Sequence, residues 1–148
     1  MIVYLDTSSL ARLYIEEAGA ADVRTLVAAA SVVVTSDVAY PEMRSALARR
    51  HRDRSLSRTR FQTAKRAFES DWSSYLAVAA TPALCREAGL LAERHRLRGF
   101  DSIHLASFLE ILRGGSDGIV EFSSFDTALN RAAAAVQRAE RAGRRRPR

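Results

Sequence analysis

Residues 1–15, MIVYLDTSSLARLYI, decide the fold of this chain. Residues 2–5 are apolar and rich in β-forming types, a pattern typical of a strand buried on both faces of a parallel sheet. Asp6 follows this strand directly, and apolar residues then recur at helical spacing through residues 10–14. Asp6 therefore lies where a strand passes into a helix, which is the edge of an open α/β sheet where ligands bind. An aspartate at this place also caps the following helix, so Asp6 alone leaves both interpretations open.

The composition predicts one globular domain and excludes several classes of protein. The chain has 148 residues, of which 47% are hydrophobic and 27% are charged, a balance typical of a domain with a substantial core. No apolar run approaches the roughly 20 residues that cross a bilayer, and the N-terminus lacks the basic region of a signal peptide. We therefore expect a cytoplasmic protein without a membrane partner. The single cysteine, Cys85, excludes an internal disulfide and a thiolate zinc site, and we expect it to be a buried helix residue.

Positive charge is concentrated in two segments of the chain. The net charge is +6, but residues 44–66 carry +8, residues 138–148 carry +5, and the remainder carries −7. Basic segments are typical of proteins with a polyanionic partner, although a solvated helix face or a frayed terminus gives the same pattern. Both interpretations stay open for residues 44–66. We expect a domain over residues 1–140, followed by a basic, disordered tail over residues 141–148.

Strand and helix patterns alternate along the chain. After the first strand, further strands are predicted over residues 31–35, 75–78 and 119–122, and helices over residues 20–30, 38–49, 57–72, 82–95, 101–112 and 127–139. Ser36 or Asp37 is expected to cap the helix after the second strand, and Asp101 to open its helix after a loop. This alternation implies parallel strands with right-handed crossovers. The fold prediction is α/β, with three α/β/α layers around a short, mainly parallel sheet of four to five strands.

Four acidic residues are expected to meet at one edge of this sheet. Asp6 and Asp126 directly follow strands, Glu42 lies on the helix after the second strand, and Asp101 begins a helix after a loop. Four carboxylates in one cleft would repel one another and have raised pKa values unless a cation neutralised them. Oxygen ligands suit hard cations, so Mg²⁺ or Mn²⁺ is implied. A water molecule at such an ion can become a nucleophile.

Few other residues offer an alternative chemistry. The chain has one lysine, Lys65, and no glycine-rich phosphate loop of either common pattern. His104 follows Asp101 by three residues on the same helix face and could support the acids. Its position between apolar residues favours a packed core histidine instead.

Four segments of the chain resemble the motifs of a known family. They are LDTSSL at residues 5–10, EMRSAL at 42–47, DSIHLA at 101–106 and SFD at 124–126. In this order and at these spacings they are similar to the four motifs of PIN-domain ribonucleases, in particular the VapC toxins of bacterial toxin–antitoxin pairs. Ser102, Ser107 and Phe108 stand where smaller residues are usual, which concerns packing and leaves the acids intact.

The resemblance implies a fold, an activity and partners. It implies a PIN-like fold and an RNA endonuclease in which Asp6, Glu42, Asp101 and Asp126 bind Mg²⁺ or Mn²⁺. Thr7 and Ser124 match hydroxyl positions that help to orient the acids, the metal or its water. A cognate VapB-like antitoxin that covers the cleft and a homodimer are implied as well.

The basic segment over residues 44–66 supplies candidate contacts to an RNA substrate. Its arginines Arg44, Arg49, Arg50 and Arg52 are candidate contacts to the phosphates of an RNA substrate. Two alternatives stay open: a catalytically silent RNA- or protein-binding module with the same fold, and a nuclease that acts on DNA.

Overall fold

The computed structural model describes residues 1–114 and 119–144. Strands and helices alternate as the sequence predicts. In chain order the elements are β1 (Ile2–Leu5), α1 (Thr7–Ala11), α2 (Ala20–Ala28), β2 (Val32–Ser36), α3 (Ala39–Arg52), α4 (Arg58–Trp72), β3 (Leu76–Val78), α5 (Pro82–His95), α6 (Gly99–Arg113), β4 (Val120–Ser123) and α7 (Thr127–Arg144). No helix in the described ranges combines the length and the hydropathy that a bilayer crossing requires.

The four strands form one parallel sheet in the order β3-β2-β1-β4. In the centre of the sheet, Val3 of β1 is aligned with Val33 of β2 and with Glu121 of β4. All strands run in the same direction, so their carboxyl ends lie along one edge. The predicted α/β/α fold with a parallel sheet of four to five strands is confirmed.

Side chains of β1 alternate between two hydrophobic cores. Val3 and Leu5 are fully buried in a core shared with α1, α3 and α4. Tyr4 is fully buried on the other face, in a core shared with α5, α6 and α7. Burial of each large apolar side chain contributes about 1.5–3 kcal/mol, so β1 is fixed from both sides. The residue that follows it, Asp6, therefore has a rigid support.

Helix α6 is the central element of the second helical layer. It packs against α5 and α7, and every residue from His104 to Leu109 is buried. Its two buried serines have backbone partners: Ser102 Oγ donates to Gly99 O at 2.7 Å, and Ser107 Oγ donates to Ile103 O at 2.8 Å. These bonds explain how polar residues are accommodated on a helix that is otherwise apolar on most sides.

Several local predictions at the helix ends and of burial are wrong. The N-cap of α3 is Val38, with no side-chain cap, and Asp37 is exposed. The backbone N–H of Asp37 donates to Val78 O at 2.9 Å, so the chain remains paired to β3 before it turns into the helix. Helix α6 begins at Gly99, which places Asp101 in its first turn. Cys85 lies on α5 as expected but is exposed.

The domain boundary predicted at residue 140 lies inside α7. This helix continues to Arg144, so the first four residues of the predicted disordered tail are helical. Glu140 accepts a hydrogen bond from Arg113 of α6 at 3.2 Å, and Arg144 donates to Leu112 O. These contacts hold the end of α7 on α6. Residues 145–148, and most of the predicted break at residues 114–118, lie outside the described residues.

Candidate metal centre

The four acids predicted from the sequence line one open cavity at the carboxyl edge of the sheet. The cavity has a volume of about 440 Å³. Its charged lining comprises the acids Asp6, Glu17, Glu42, Asp101 and Asp126 and the arginines Arg12, Arg49, Arg50 and Arg98. The junction of β1 and α1, helices α3 and α6, and the β4–α7 loop each contribute one of the four predicted acids, so the parallel topology brings them together.

Asp6 is the most firmly held of the four acids. It is 5% exposed and caps α1 by accepting from Ser9 N at 2.9 Å. Ser8 Oγ donates to both carboxylate oxygens, at 2.7 and 2.9 Å, and Ser124 Oγ donates to Oδ2 at 2.7 Å. Asp6 therefore caps a helix, which confirms that interpretation, and its side chain also lines the cavity.

The Glu42 carboxylate accepts hydrogen bonds through only one of its two oxygens in the described residues. Thr7 Oγ1 donates to Glu42 Oε2, and the same oxygen lies 2.9 Å from Nε2 of His104. Partial burial raises the pKa of Glu42, but the hydrogen bonds with His104 and Thr7 outweigh burial, and the net shift is downward. Glu42 is therefore a carboxylate at neutral pH, within reach of the cavity.

Asp101 and Asp126 are each engaged by a single donor. Arg98 Nε donates to Asp101 Oδ2 at 2.8 Å. The backbone N–H of Leu129 donates to Asp126 Oδ1 at 2.7 Å, so Asp126 caps α7. Within residues 1–114 and 119–144, no hydrogen bond is made to Oδ1 of Asp101, Oδ2 of Asp126 or Oε1 of Glu42. Three carboxylates thus each offer one uncommitted oxygen.

The hydroxyl residues Thr7 and Ser124 contact the acids. Thr7 bonds Glu42, whereas Ser124 bonds Asp6 and also accepts from the backbone N–H of Asp126 at 3.0 Å. Ser124 therefore connects β1 to the loop that carries Asp126. Ser8 and Arg98, which the sequence analysis did not single out, contact Asp6 and Asp101; the run of hydroxyl residues after Asp6 is the signal that could have indicated Ser8.

His104 contacts the site as well as the core. Its side chain is 2% exposed, as a core histidine would be. Nδ1 lies 2.9 Å from the hydroxyl of Tyr4, and Nε2 lies 2.9 Å from Glu42 Oε2 and 3.1 Å from Thr7 Oγ1. The spacing of three residues between Asp101 and His104 indicated this contact. The sequence analysis favoured a core position instead, because the neighbours of His104 in the sequence are apolar.

The donor set of the cavity fits a hard divalent cation. All four predicted ligands are carboxylates, and carboxylate oxygens are the ligands such ions prefer. Among the residues that the structure describes, however, no three side chains of His, Cys, Asp or Glu are grouped closely enough to hold an ion between them. The acids share a cavity in which the groups that donate hydrogen bonds to them are hydroxyls, an imidazole, a guanidinium and backbone N–H groups. Side-chain rotations are therefore needed before several of them could bind one ion.

The four arginines predicted to bind RNA fall into two classes. Arg44 is paired with Glu69, and Arg50 is paired with Glu17 at 2.8 Å. Arg49 and Arg52 are exposed and form no ion pair within the described part of the chain. Arg49 also lines the acid cavity, which places free positive charge at its margin.

Comparison with known proteins places the chain in a family. The PIN domain family profile matches residues 3–135. Ribonuclease VapC45 of Mycobacterium tuberculosis (strain CDC 1551 / Oshkosh) and Ribonuclease VapC49 of Mycobacterium tuberculosis (strain ATCC 25618 / H37Rv) are each 35% identical to this chain over 119 residues, which is 80% of this chain and 81% of the relative. The match spans both helical layers and all four acids, in agreement with the resemblance found in the motifs. The chain therefore belongs to the PIN-domain family.

Proposed function

We propose that this protein is a metal-dependent endoribonuclease that hydrolyses RNA phosphodiesters as the toxin of a VapBC-type toxin–antitoxin module. Both relatives carry the name ribonuclease VapC and are 35% identical to this chain over 119 residues. The observation that carries the proposal is the convergence of four carboxylates from four separate elements on one open cavity. A purely structural cluster of like charges would be unfavourable there.

Asp6, Glu42, Asp101 and Asp126 are the proposed metal ligands. Ribonucleases of this family are generally dependent on a divalent metal, and we propose Mg²⁺ or Mn²⁺ because every donor is an oxygen. Such an ion, when bound, polarises a phosphoryl oxygen and lowers the pKa of an attacking water molecule.

The residues around the acids have separate proposed roles. Thr7 and Ser124 hold Glu42 and Asp6 by the hydrogen bonds described above, which limits the rotation of both carboxylates. Asp101 and Asp126 each have one oxygen without a donor in the described residues, so either can accept a hydrogen bond from the attacking water. Of the predicted RNA contacts, Arg49 and Arg52 are favoured because they are not neutralised by an ion pair there.

Two partners are proposed from the similarity to VapC proteins. One is a small VapB-like antitoxin that covers the acid cavity, and the other is a second copy of this chain in a homodimer. The same similarity supports a cytoplasmic location. A short reading frame for a DNA-binding protein next to the gene would support the antitoxin proposal.

Substitution of the acids tests the activity directly. Asp101→Asn removes a charge from a side chain that caps no helix, so we expect RNA cleavage to fall sharply while the thermal unfolding midpoint changes little. Asp37→Asn is the matched control, because Asp37 follows a strand at the same edge of the sheet but does not line the cavity. Cleavage by Asp101→Asn at the parent rate in Mg²⁺ would contradict the site.

The same assay separates the alternatives. RNA binding without metal-dependent cleavage by the parent protein would favour the silent binding module. Faster cleavage of single-stranded DNA than of RNA with the same sequence would favour a DNA-directed nuclease.

A further inference from the structure

His104 forms the middle of a buried chain of hydrogen bonds between side chains, which ends at the acid cavity. The chain runs from the Tyr4 hydroxyl to Nδ1, and from Nε2 to Glu42 Oε2, with a distance of 2.9 Å at each step. Tyr4 is fully buried, and its ring is stacked on Phe122 with a centroid distance of 5.5 Å and an interplanar angle of 8°. One end of the chain is thus fixed in the core, and the other holds a residue at the cavity.

The chemistry of the groups determines the direction of these hydrogen bonds. A carboxylate only accepts, so Nε2 of His104 donates to Glu42 Oε2. A neutral imidazole with its proton on Nε2 has an acceptor at Nδ1, so the hydroxyl of Tyr4 donates to Nδ1. In this neutral form each of the three groups has one consistent role, and the Tyr4 hydroxyl favours the tautomer that can hold Glu42.

The contacts of His104 differ from those of an ordinary core histidine. Most side-chain hydrogen bonds in proteins go to backbone groups or water, and backbone partners would satisfy a buried histidine equally well. Here both ring nitrogens bind side chains of other elements, β1 and α3, and the acceptor on α3 lines the acid cavity. Because all bonds to Glu42 in the described residues fall on Oε2, Oε1 is left without a donor.

We propose that His104 is a positioning residue for the metal centre: it fixes Oε2 of Glu42 so that Oε1 is available to a divalent cation, and Tyr4 fixes His104 in the tautomer that does this. The inference rests on the proposed metal-dependent function. Partners that orient a metal ligand in this way typically contribute about 10- to 100-fold to metal affinity.

Direct measurement of Mn²⁺ binding tests the role of His104 without relying on catalysis. The amide nitrogen of Gln reaches about as far as Nε2 of His, whereas that of Asn reaches only as far as Nδ1. We expect His104→Gln to bind Mn²⁺ within a few-fold of the parent, and His104→Asn to bind about 10- to 100-fold more weakly, as measured by calorimetry or by the electron paramagnetic resonance of free Mn²⁺. His51→Gln is the matched control, since the His51 ring also contacts an aromatic ring, that of Phe61, but lies outside the cavity.

A second variant tests the tautomer. Tyr4→Phe keeps the aromatic stack and removes the donor to Nδ1, so we expect weaker Mn²⁺ binding than in the parent, with circular dichroism unchanged. Equal affinities of the parent, His104→Asn and Tyr4→Phe, with the parent binding Mn²⁺, would overturn the inference alone. A parent protein that neither binds Mn²⁺ nor cleaves RNA with it would overturn the proposed function together with the inference.

Discussion

Glu42 is the acid whose charge depends most on two neighbouring side chains. Its pKa lies below the ordinary value of 4.5, because the hydrogen bonds with His104 and Thr7 outweigh the effect of burial. A carboxyl group with a lowered pKa in the folded state stabilises the fold at pH values above its unfolded pKa. This contribution is lost as the pH falls through the folded pKa. The residues that orient Glu42 therefore also make stability depend on pH in the acidic range.

The substitution Thr7→Val tests this dependence. It removes the hydroxyl that donates to Glu42 Oε2, so we expect a loss of about 1 kcal/mol in the free energy of unfolding near neutral pH. This difference in the free energy of unfolding between the parent and Thr7→Val should become smaller as the pH falls well below the ordinary pKa of 4.5. At such pH values Glu42 is protonated in both the folded and the unfolded state. Urea unfolding without added metal, measured from neutral to acidic pH, checks this. Thr7→Ser retains the hydroxyl and serves as the control. A stability difference between the parent and Thr7→Val that does not change with pH would contradict the interpretation.

The identity of the acids could be predicted from the sequence, whereas their partners could only be predicted in part. Asp6 and Asp126 were found because each follows a strand, which is a local pattern. The contact between Tyr4 and His104 joins residues 100 positions apart, and no local pattern encodes which face of α6 meets β1. The contact between Arg98 and Asp101 is local by comparison, since it joins residues three positions apart, and it was missed because α6 begins two residues earlier than predicted.

At the scale of elements, the loop that carries Ser124 and Asp126 is fixed by the turn between α1 and α2. The guanidinium of Arg12 lies 3.4 Å from the ring centroid of Phe125 and donates to the carbonyl of Ala18 at 2.8 Å. Gly19 has a φ of +85°, and a Cβ built on it would lie 2.4 Å from the Phe125 ring. The turn and the loop therefore meet at a close contact, at a position whose left-handed backbone favours glycine.

The substitution Gly19→Ala tests this contact. The left-handed backbone costs about 1 kcal/mol for a residue with a Cβ, and the collision with Phe125 adds to it, so we expect a loss of about 2 kcal/mol or more in chemical denaturation. In a Phe125→Ala background the ring is absent and the collision is removed. The loss of stability that Gly19→Ala causes there should therefore be only the cost of the left-handed backbone. Gly89→Ala on α5, where a Cβ meets nothing within 4 Å, should instead stabilise by about 0.5–1 kcal/mol. If Gly19→Ala lowered the free energy of unfolding equally in the parent and in the Phe125→Ala variant, a collision with Phe125 would be excluded.

Helices and strands were predictable as elements, but several of their ends depend on contacts distant in sequence. The periodicity of α5 and its Thr81-Pro82 start are local, and both agree with the structure. The start of α3 is displaced because the backbone of Asp37 pairs with β3. The end of α7 extends past its prediction because Arg113 and Leu112 of α6 provide partners for Glu140 and Arg144. Boundaries set by tertiary partners of this kind have no signature in a local window.

At the scale of the whole molecule, the strongly basic segment lies in one of the two helical layers. The segment over residues 44–66, which carries +8, forms the end of α3, the loop after it and most of α4. The layer formed by α5, α6 and α7 lies on the other face of the sheet. Because α3 carries both Glu42 and the free Arg49 and Arg52, positive charge and the acid cavity are joined by one element. A polyanion bound along the basic segment would therefore extend towards the carboxylates of the cavity.

The salt dependence of RNA binding decides whether this arrangement is used. Each phosphate contact to a single strand contributes about 0.7 to the slope of the logarithm of affinity against the logarithm of salt concentration. In an Asp101→Asn background that prevents cleavage, the double variant Arg49→Ala/Arg52→Ala should therefore lower the slope by about 1.4. The double variant Arg86→Ala/Arg94→Ala removes the same charge from exposed positions of α5 and should leave the slope near that of the parent. Equal slopes for the two double variants would show that net charge, and not the basic segment beside the acid cavity, controls RNA binding.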